Sequence, residues 1–391
     1  MSSYSDRILA TKASFIREIL KVTQDPSVIS FAGGLPNPIS FPQEALKQSA
    51  VNVIDKFGDK VFQYSTTEGY LPLREQIAER YNKRQGLHLE PKNILITTGS
   101  QQALDLLAKV YLNKGDKVVV EEPGYLGAIQ TFTMFEVGFL PVTLEDDGLN
   151  LEELERALQD PKMKFAYTVP NFQNPTGLTY GAEKRQKIAE LFAKYNKTLI
   201  EDDPYGDLRF KGEFLPYMGA EKLESSVLLG SFSKTVTPGM RTGYLITEND
   251  ELMHHLVTAK QSSDLHTNIF CQYILADYFA NNDFASHVSK IRALYKEQSE
   301  TMLSAMKEYF PSDVKFTQPE GGMFIWVTLP KGKSALDLFN KCMAQKVAFV
   351  PGDPFYTDKT NVNTLRLNYT NSSKEVIVDG IKRLAQAMKE N

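Results

Sequence analysis

Four short stretches of this 391-residue chain carry side chains that could do chemistry together. The first is Ser231-Phe232-Ser233-Lys234, with Arg241 seven residues on. Lysine is seldom buried without a reason, yet Lys234 follows directly on a strand-like apolar run. One such reason is Schiff-base chemistry, in which an amine of lowered pKa adds to an aldehyde. Two serine hydroxyls and a guanidinium would suit a phosphate. A loop lysine beside two turn serines is the plainer account, and the tetrapeptide by itself does not exclude it. The second stretch, Thr98-Gly99-Ser100-Gln101-Gln102, joins a strand-like run to a helix-like one. Ser100 is a good N-cap, and a helix start offers free N–H groups and a positive dipole end, hence an anion site or simply a capped helix. The third, Asn171-Phe172-Gln173-Asn174-Pro175-Thr176-Gly177, holds two turn dipeptides. The fourth is Glu201-Asp202-Asp203-Pro204-Tyr205. A carboxylate at the end of a buried strand must be paired or face a cleft, unless it only caps a turn.

The elements that must position these stretches alternate in type. Asn93–Thr98, Lys117–Glu121, Phe139–Leu144, Phe165–Val169, Thr198–Asp202, Val227–Ser231 and Thr242–Thr247 read as strands. Ser100–Leu112, Tyr125–Glu136, Leu151–Leu158 and Ala182–Tyr195 read as helices. Such alternation predicts an α/β fold, a mostly parallel sheet with helices on both faces. Such sheets place ligands at the carboxyl ends of their strands, which is where the four stretches fall. From about Asp250 to Phe310 the pattern is helical. Val314–Leu329, Ala335–Gln345, Val347–Val350, Thr364–Tyr369 and Lys374–Lys389 then form a smaller α/β unit. Residues 7–24 read as an amphipathic helix, and Ala32–Pro42 as a Gly- and Pro-shaped loop. The expected division is 1–42 (N-terminal helix and loop, part of the small domain), 43–290 (large domain) and 291–391 (C-terminal small domain).

Composition limits the function classes. Hydrophobic residues make up 42% and charged residues 24%, so the chain is an ordinary globular one rather than disordered or fibrous. A net charge of -4 gives no electrostatic reason to bind nucleic acid or an anionic membrane. The longest apolar run, Met323–Val327, is far short of a membrane span, and the N-terminus has no signal-peptide core. Two cysteines, Cys271 and Cys342, make no disulfide framework, so a cytoplasmic location is expected. His254, His255 and His266 show no metal-ligand spacing, and no metal is expected.

Taken together and in order, these stretches resemble the fold-type I pyridoxal-phosphate (PLP) aminotransferases of class I/II. The motifs carrying the resemblance are QYSTTEGYLPLR with Tyr64, TGSQQAL, EEPGY with Tyr125, NFQNPTG, EDDPY, SFSKTVTPGMRTGY and TLRLNY with Arg366. The resemblance covers nearly the whole chain, from about Ser14 to Lys389. SFIREIL…ISFAGGLPNPISFP is similar to the subgroup containing 2-aminoadipate and kynurenine aminotransferases. The resemblance implies that Lys234 is the Schiff-base lysine and that Asp202 faces the cofactor's pyridine nitrogen. It implies that Tyr205 and Asn174 bond the ring's phenolic oxygen and that Tyr125 stacks on the ring. Ser100, Gln101, Ser231, Ser233 and Arg241 would cradle the phosphate, joined by Tyr64 of a neighbouring subunit in a homodimer. Arg366 would grip the substrate's α-carboxylate near Asn174, Gly33 and Gly34. Arg17 would reach the substrate's far end, unless it simply faces solvent.

The function these roles imply is transamination between an amino acid (2-aminoadipate, glutamate, aromatic or branched-chain) and a 2-oxo acid, with 2-oxoglutarate expected. A β-lyase on the same scaffold is the alternative among enzymes. A ligand-sensing regulator, in which such a domain follows a DNA-binding segment, is disfavoured by the thirty or so residues before Ala32 and by the balanced charge.

Overall fold

The structure is a computed structural model that describes residues 3–10, 19, 25–220 and 224–390. The N-terminal segment contributes a short strand, β1 (Ile29–Ser30). Eight strands follow: β2 (Ile94–Thr97), β3 (Lys117–Glu122), β4 (Gly138–Glu145), β5 (Gly148–Leu149), β6 (Met163–Thr168), β7 (Thr198–Asp202), β8 (Ser226–Ser231) and β9 (Gly243–Ile246). They form one sheet in the order β2-β9-β8-β7-β6-β3-β4-β5. The pairs β8–β7, β7–β6, β6–β3 and β3–β4 are parallel. Because β9 is antiparallel to both β8 and β2, β2 shares the direction of the central strands. The carboxyl ends of β2, β3, β6, β7 and β8 therefore meet along one edge.

Helices cover both faces, and the strands' period of two divides the side chains between them. Val118 and Val120 join one core with Leu104, Leu107, Phe165 and Ile200, while Val119 joins another with Ala166, Leu199, Leu154 and Ile188. That division explains why the strands read as unbroken apolar runs.

The C-terminal part adds β10 (Lys315–Phe316), β11 (Phe324–Thr328), β12 (Val347–Ala348), β13 (Val350–Pro351) and β14 (Thr364–Asn368). The order β10-β11-β14-β13 makes an antiparallel sheet, and β12 pairs in parallel with β1. The N-terminal segment is thus tied to the small unit, and the Asn368 N–H also donates to the Phe31 carbonyl. The division expected at 290/291 falls inside one continuous helix, Phe284–Tyr309.

Several expectations are corrected. Ser100 is not an N-cap: Thr98 holds that position and the helix runs Gly99–Tyr111, because Gly99 takes a left-handed φ of +68° that lets the chain turn one residue earlier. The segment expected to be helical over Tyr125–Glu136 is helical only over Leu126–Thr133. Val347–Val350 is not one strand, since β12 and β13 pair in different sheets. The 7–24 helix lies mostly outside the described residues, apart from a turn at Asp6–Ala10 and Ile19.

Candidate active site

A cavity of about 540 Å³ opens at the shared strand edge, and most of the expected site residues line it. The turn after β8 delivers Lys234, whose Nζ donates to the Gly34 carbonyl at 2.8 Å. Burial of the amine, with Arg366 and Arg241 nearby, lowers its pKa to about 8. That value suits an amine that must lose its proton to react.

Asp202, the last residue of β7, is buried. Tyr167 Oη donates to its Oδ2 at 2.8 Å, while Oδ1 has no partner among the described residues. Desolvation pushes this carboxyl up to about 7. A buried carboxylate oxygen left without a donor is costly, so it marks the place of an absent one. A ring N–H⁺ is such a donor.

The helix Gly99–Tyr111 points its N-terminus into the cavity through Gly99, Ser100 and Gln101. Arg241 leans over it: a Cβ on Gly99 would come within 2.7 Å of Arg241 Nη2. Free N–H groups, a guanidinium and the hydroxyls of Ser231 and Ser233 (3.0 Å apart) make an anion cup. The Gln101 side chain is turned away, donating to the Gly127 carbonyl and to Thr131 Oγ1, so only its backbone faces the cup. The residues fit pyridoxal phosphate: a phosphate seat, a carboxylate lacking a donor and an amine share one cavity of suitable size.

On the small-unit side, Arg366 lies on β14 and is buried. Its Nη1 donates to Asn174 Oδ1 and its Nη2 to the Ala32 carbonyl, both at 2.8 Å, and its Nε has no partner among the described residues. The guanidinium stacks 4.4 Å from the Phe324 ring centre. Desolvation lowers its pKa to about 10. Asn174 Nδ2 and Tyr205 Oη are 3.5 Å apart, poised to share a third oxygen more than to bond strongly to each other. Burial, with the Asp202 charge second, pushes the Tyr125 phenol up to about 12.

Some expected residues stand apart. Gly34 lines the cavity, whereas Gly33 is not among the lining residues. Tyr64 is 79% exposed, away from this chain's cavity and edge-on to His266. Arg17 lies outside the described residues. Lining residues not singled out from the sequence include Tyr167, Gln130 and Phe324. A tyrosine at the carboxyl end of a strand beside Asp202's strand was a signal for the first, and the Gly-Gly turn before Phe324 a weak one for the last.

Residues 39–384 match the class I and II aminotransferase family. An aromatic-amino-acid aminotransferase from Thermococcus litoralis is 42% identical over 99% of this chain and 94% of its own length. A 2-aminoadipate transaminase from Thermus thermophilus is 40% identical over 97% of this chain and 94% of its own. A solved Pyrococcus horikoshii kynurenine aminotransferase in complex with PMP is 42% identical, with a TM-score of 0.95 over 99% of this chain and 97% of its own.

Proposed function

Because this chain belongs to the class I and II aminotransferase family, we propose how its residues divide the work and which substrates it takes. The enzyme is a PLP-dependent aminotransferase of fold type I. When bound, PLP supplies an aldehyde that takes up the amino group and a cationic ring that holds the electron pair freed at the substrate's α-carbon.

The chain's own residues then act as follows. Lys234 Nζ anchors the cofactor and, once free, carries a proton to and from the α-carbon. Asp202, oriented by Tyr167, keeps the ring nitrogen protonated. Tyr205 and Asn174 would hold the ring oxygen, Tyr125 would cover the ring, and the Ser100, Gln101, Ser231, Ser233 and Arg241 cup would hold the phosphate. Arg366 takes the α-carboxylate beside Asn174 and the Gly33–Gly34 loop. The observation that carries this reading is Arg366 itself, a buried guanidinium that among the described residues bonds only a carbonyl and an amide oxygen and shares a cavity with the Lys234 amine. Burying such a charge without an anion is costly, and a substrate carboxylate supplies the anion.

We further infer acidic, aromatic and branched-chain donors with 2-oxoglutarate as acceptor, a range supported by the aromatic, 2-aminoadipate and kynurenine activities named for its relatives. Arg17 pairs with a distal carboxylate and leaves the way open for apolar side chains. The working form is a homodimer in the cytoplasm. The test is to supply PLP, 2-oxoglutarate and one donor at a time (2-aminoadipate, phenylalanine, leucine) and to measure glutamate. Glutamate from all three is expected, and none from any donor overturns the reading. Arg17→Ala is expected to raise KM for 2-oxoglutarate and glutamate while sparing leucine and phenylalanine. A uniform effect, or none, removes Arg17 from the site.

A further inference from the structure

The loop that carries Asn174 is held from beneath by one buried carboxylate. Glu121, on β3, is 2% exposed and lies next to β6, from which the loop departs. Its Oε1 accepts the Val169 N–H at 2.9 Å and the Tyr180 hydroxyl at 2.6 Å. Its Oε2 accepts Gln173 Nε2 at 2.8 Å. One carboxylate thus ties down the beginning, the middle and the end of the segment 169–180.

Gln173 is fully buried, and its amide has nothing left to give. Nε2 donates both to Glu121 and to the Pro123 carbonyl at 2.8 Å. Oε1 accepts the Thr176 N–H at 2.9 Å and its hydroxyl at 2.7 Å. Two donors and two acceptors all used fix the amide in one orientation. Asn174 is the next residue, and its Oδ1 receives Arg366 Nη1.

We propose that Glu121 is a positioning residue, acting through Gln173 to hold Asn174 where it aims the Arg366 guanidinium at the substrate carboxylate. This rests on the reading of Arg366 as the carboxylate grip. A glutamine at 121 keeps the Oε1 bonds to Val169 and Tyr180 but turns an amide N–H₂ against that of Gln173, donor facing donor. A glutamate at 173 instead sets two carboxylates face to face. Exchanging both residues restores one donor and one acceptor across the 121–173 contact, and the second oxygen of a glutamate at 173 still receives Thr176, but its first oxygen then faces the Pro123 carbonyl without a donor, so the recovery is partial.

The experiment measures binding of 3-phenylpropionate, a substrate-like carboxylate without an amine, to the holoenzyme by calorimetry, together with KM, kcat and the melting temperature. Glu121→Gln and Gln173→Glu are each expected to weaken binding about tenfold and to raise KM more than they lower kcat, and the exchange to bind better than Gln173→Glu while staying short of wild type. Singles that bind as wild type, with or without a lower melting temperature, overturn the proposal. So does an exchange no better than the worse single. Should the singles not fold, Thr176→Val removes the hydroxyl bond to Gln173, together with the longer Leu178 N–H contact at 3.2 Å, with about threefold weaker binding expected and unchanged binding overturning the proposal. Arg366→Lys separates the two readings, because binding that survives it refutes the carboxylate grip itself.

Discussion

An amine held in a cavity with two arginines and, among the described residues, no carboxylate partner is electrostatically uncomfortable, and Lys234 is in that position. Its folded pKa of about 8 lies below the ordinary lysine value, so between pH 8 and 10.5 the unfolded chain binds a proton that the folded chain does not. Stability of the cofactor-free protein must therefore rise with pH across that window, and at pH 7 the charged amine costs stability. Lys234→Met is expected to raise the melting temperature of the cofactor-free protein by a few °C at pH 7, an advantage that shrinks toward pH 10, while turnover falls by at least about 10²–10⁴. Calorimetry on dialysed protein across that range checks it, and an advantage that grows with pH would contradict it. Arg366 and Asp202 should fail in different ways. Losing the charge-assisted contact of Arg366 is expected to raise KM for every substrate about 10- to 150-fold, from roughly 1.5–3 kcal/mol. Asp202→Asn should spare KM and lower kcat, because the ring nitrogen loses its anionic partner. Steady-state kinetics showing the opposite split would refute these assignments.

At the scale of elements, the site depends on one turn at each strand end, and glycine makes the sharpest of them. Gly99 combines a φ of +68° with the Arg241 guanidinium where a side chain would go. An alanine there meets about 1–2 kcal/mol of backbone strain and displaces Arg241 as well. Gly99→Ala is expected to weaken retention of PLP about tenfold or more with the sheet intact, measured by equilibrium dialysis alongside circular dichroism. Cofactor held as tightly as in the wild type would remove the helix start from the phosphate cup. A second turn joins the two units: a Cβ on Gly177 would come within 2.4 Å of the Phe324 carbonyl, and Thr317 Oγ1 donates to the Thr176 carbonyl at 2.8 Å. The loop bearing Asn174 therefore rests directly on β11, the neighbour of the strand bearing Arg366.

At the scale of the molecule, many of the exposed large apolar side chains fall between residues 35 and 71, with Leu265 added. Ile39 is 82% exposed, Phe62 66% and Tyr64 79%. Phe62 packs at a tilt beside Phe270 and Tyr64 edge-on to His266, so the two segments share a surface. Apolar surface of this kind favours a partner, which supports the homodimer proposed above, in which Tyr64 would serve a neighbouring phosphate cup. Phe62→Asp is expected to shift sedimentation toward a monomer and to abolish most activity. A fully active monomer would contradict the dimer.

What the sequence by itself determined were the features governed by short-range periodicity and by residue type. The helices Leu151–Leu158, Ala182–Tyr195 and Lys374–Lys389 were readable to their ends, because amphipathic spacing and caps are local. Lys234 and Asp202 drew notice because a lysine and an aspartate beside apolar strands demand partners, but their roles, and Arg366 altogether, came from the resemblance of the ordered motifs to a known family. Folding decided the partners. Tyr167 meets Asp202, and Glu121 meets Val169, Gln173 and Tyr180, only because β3, β6 and β7 lie side by side in register. The helix start at Gly99 was likewise set by a backbone angle and an arginine more than a hundred residues away in sequence. Hydrogen bonds and desolvation act over a few ångströms in space, and sequence spacing carries no such distances until the sheet has formed.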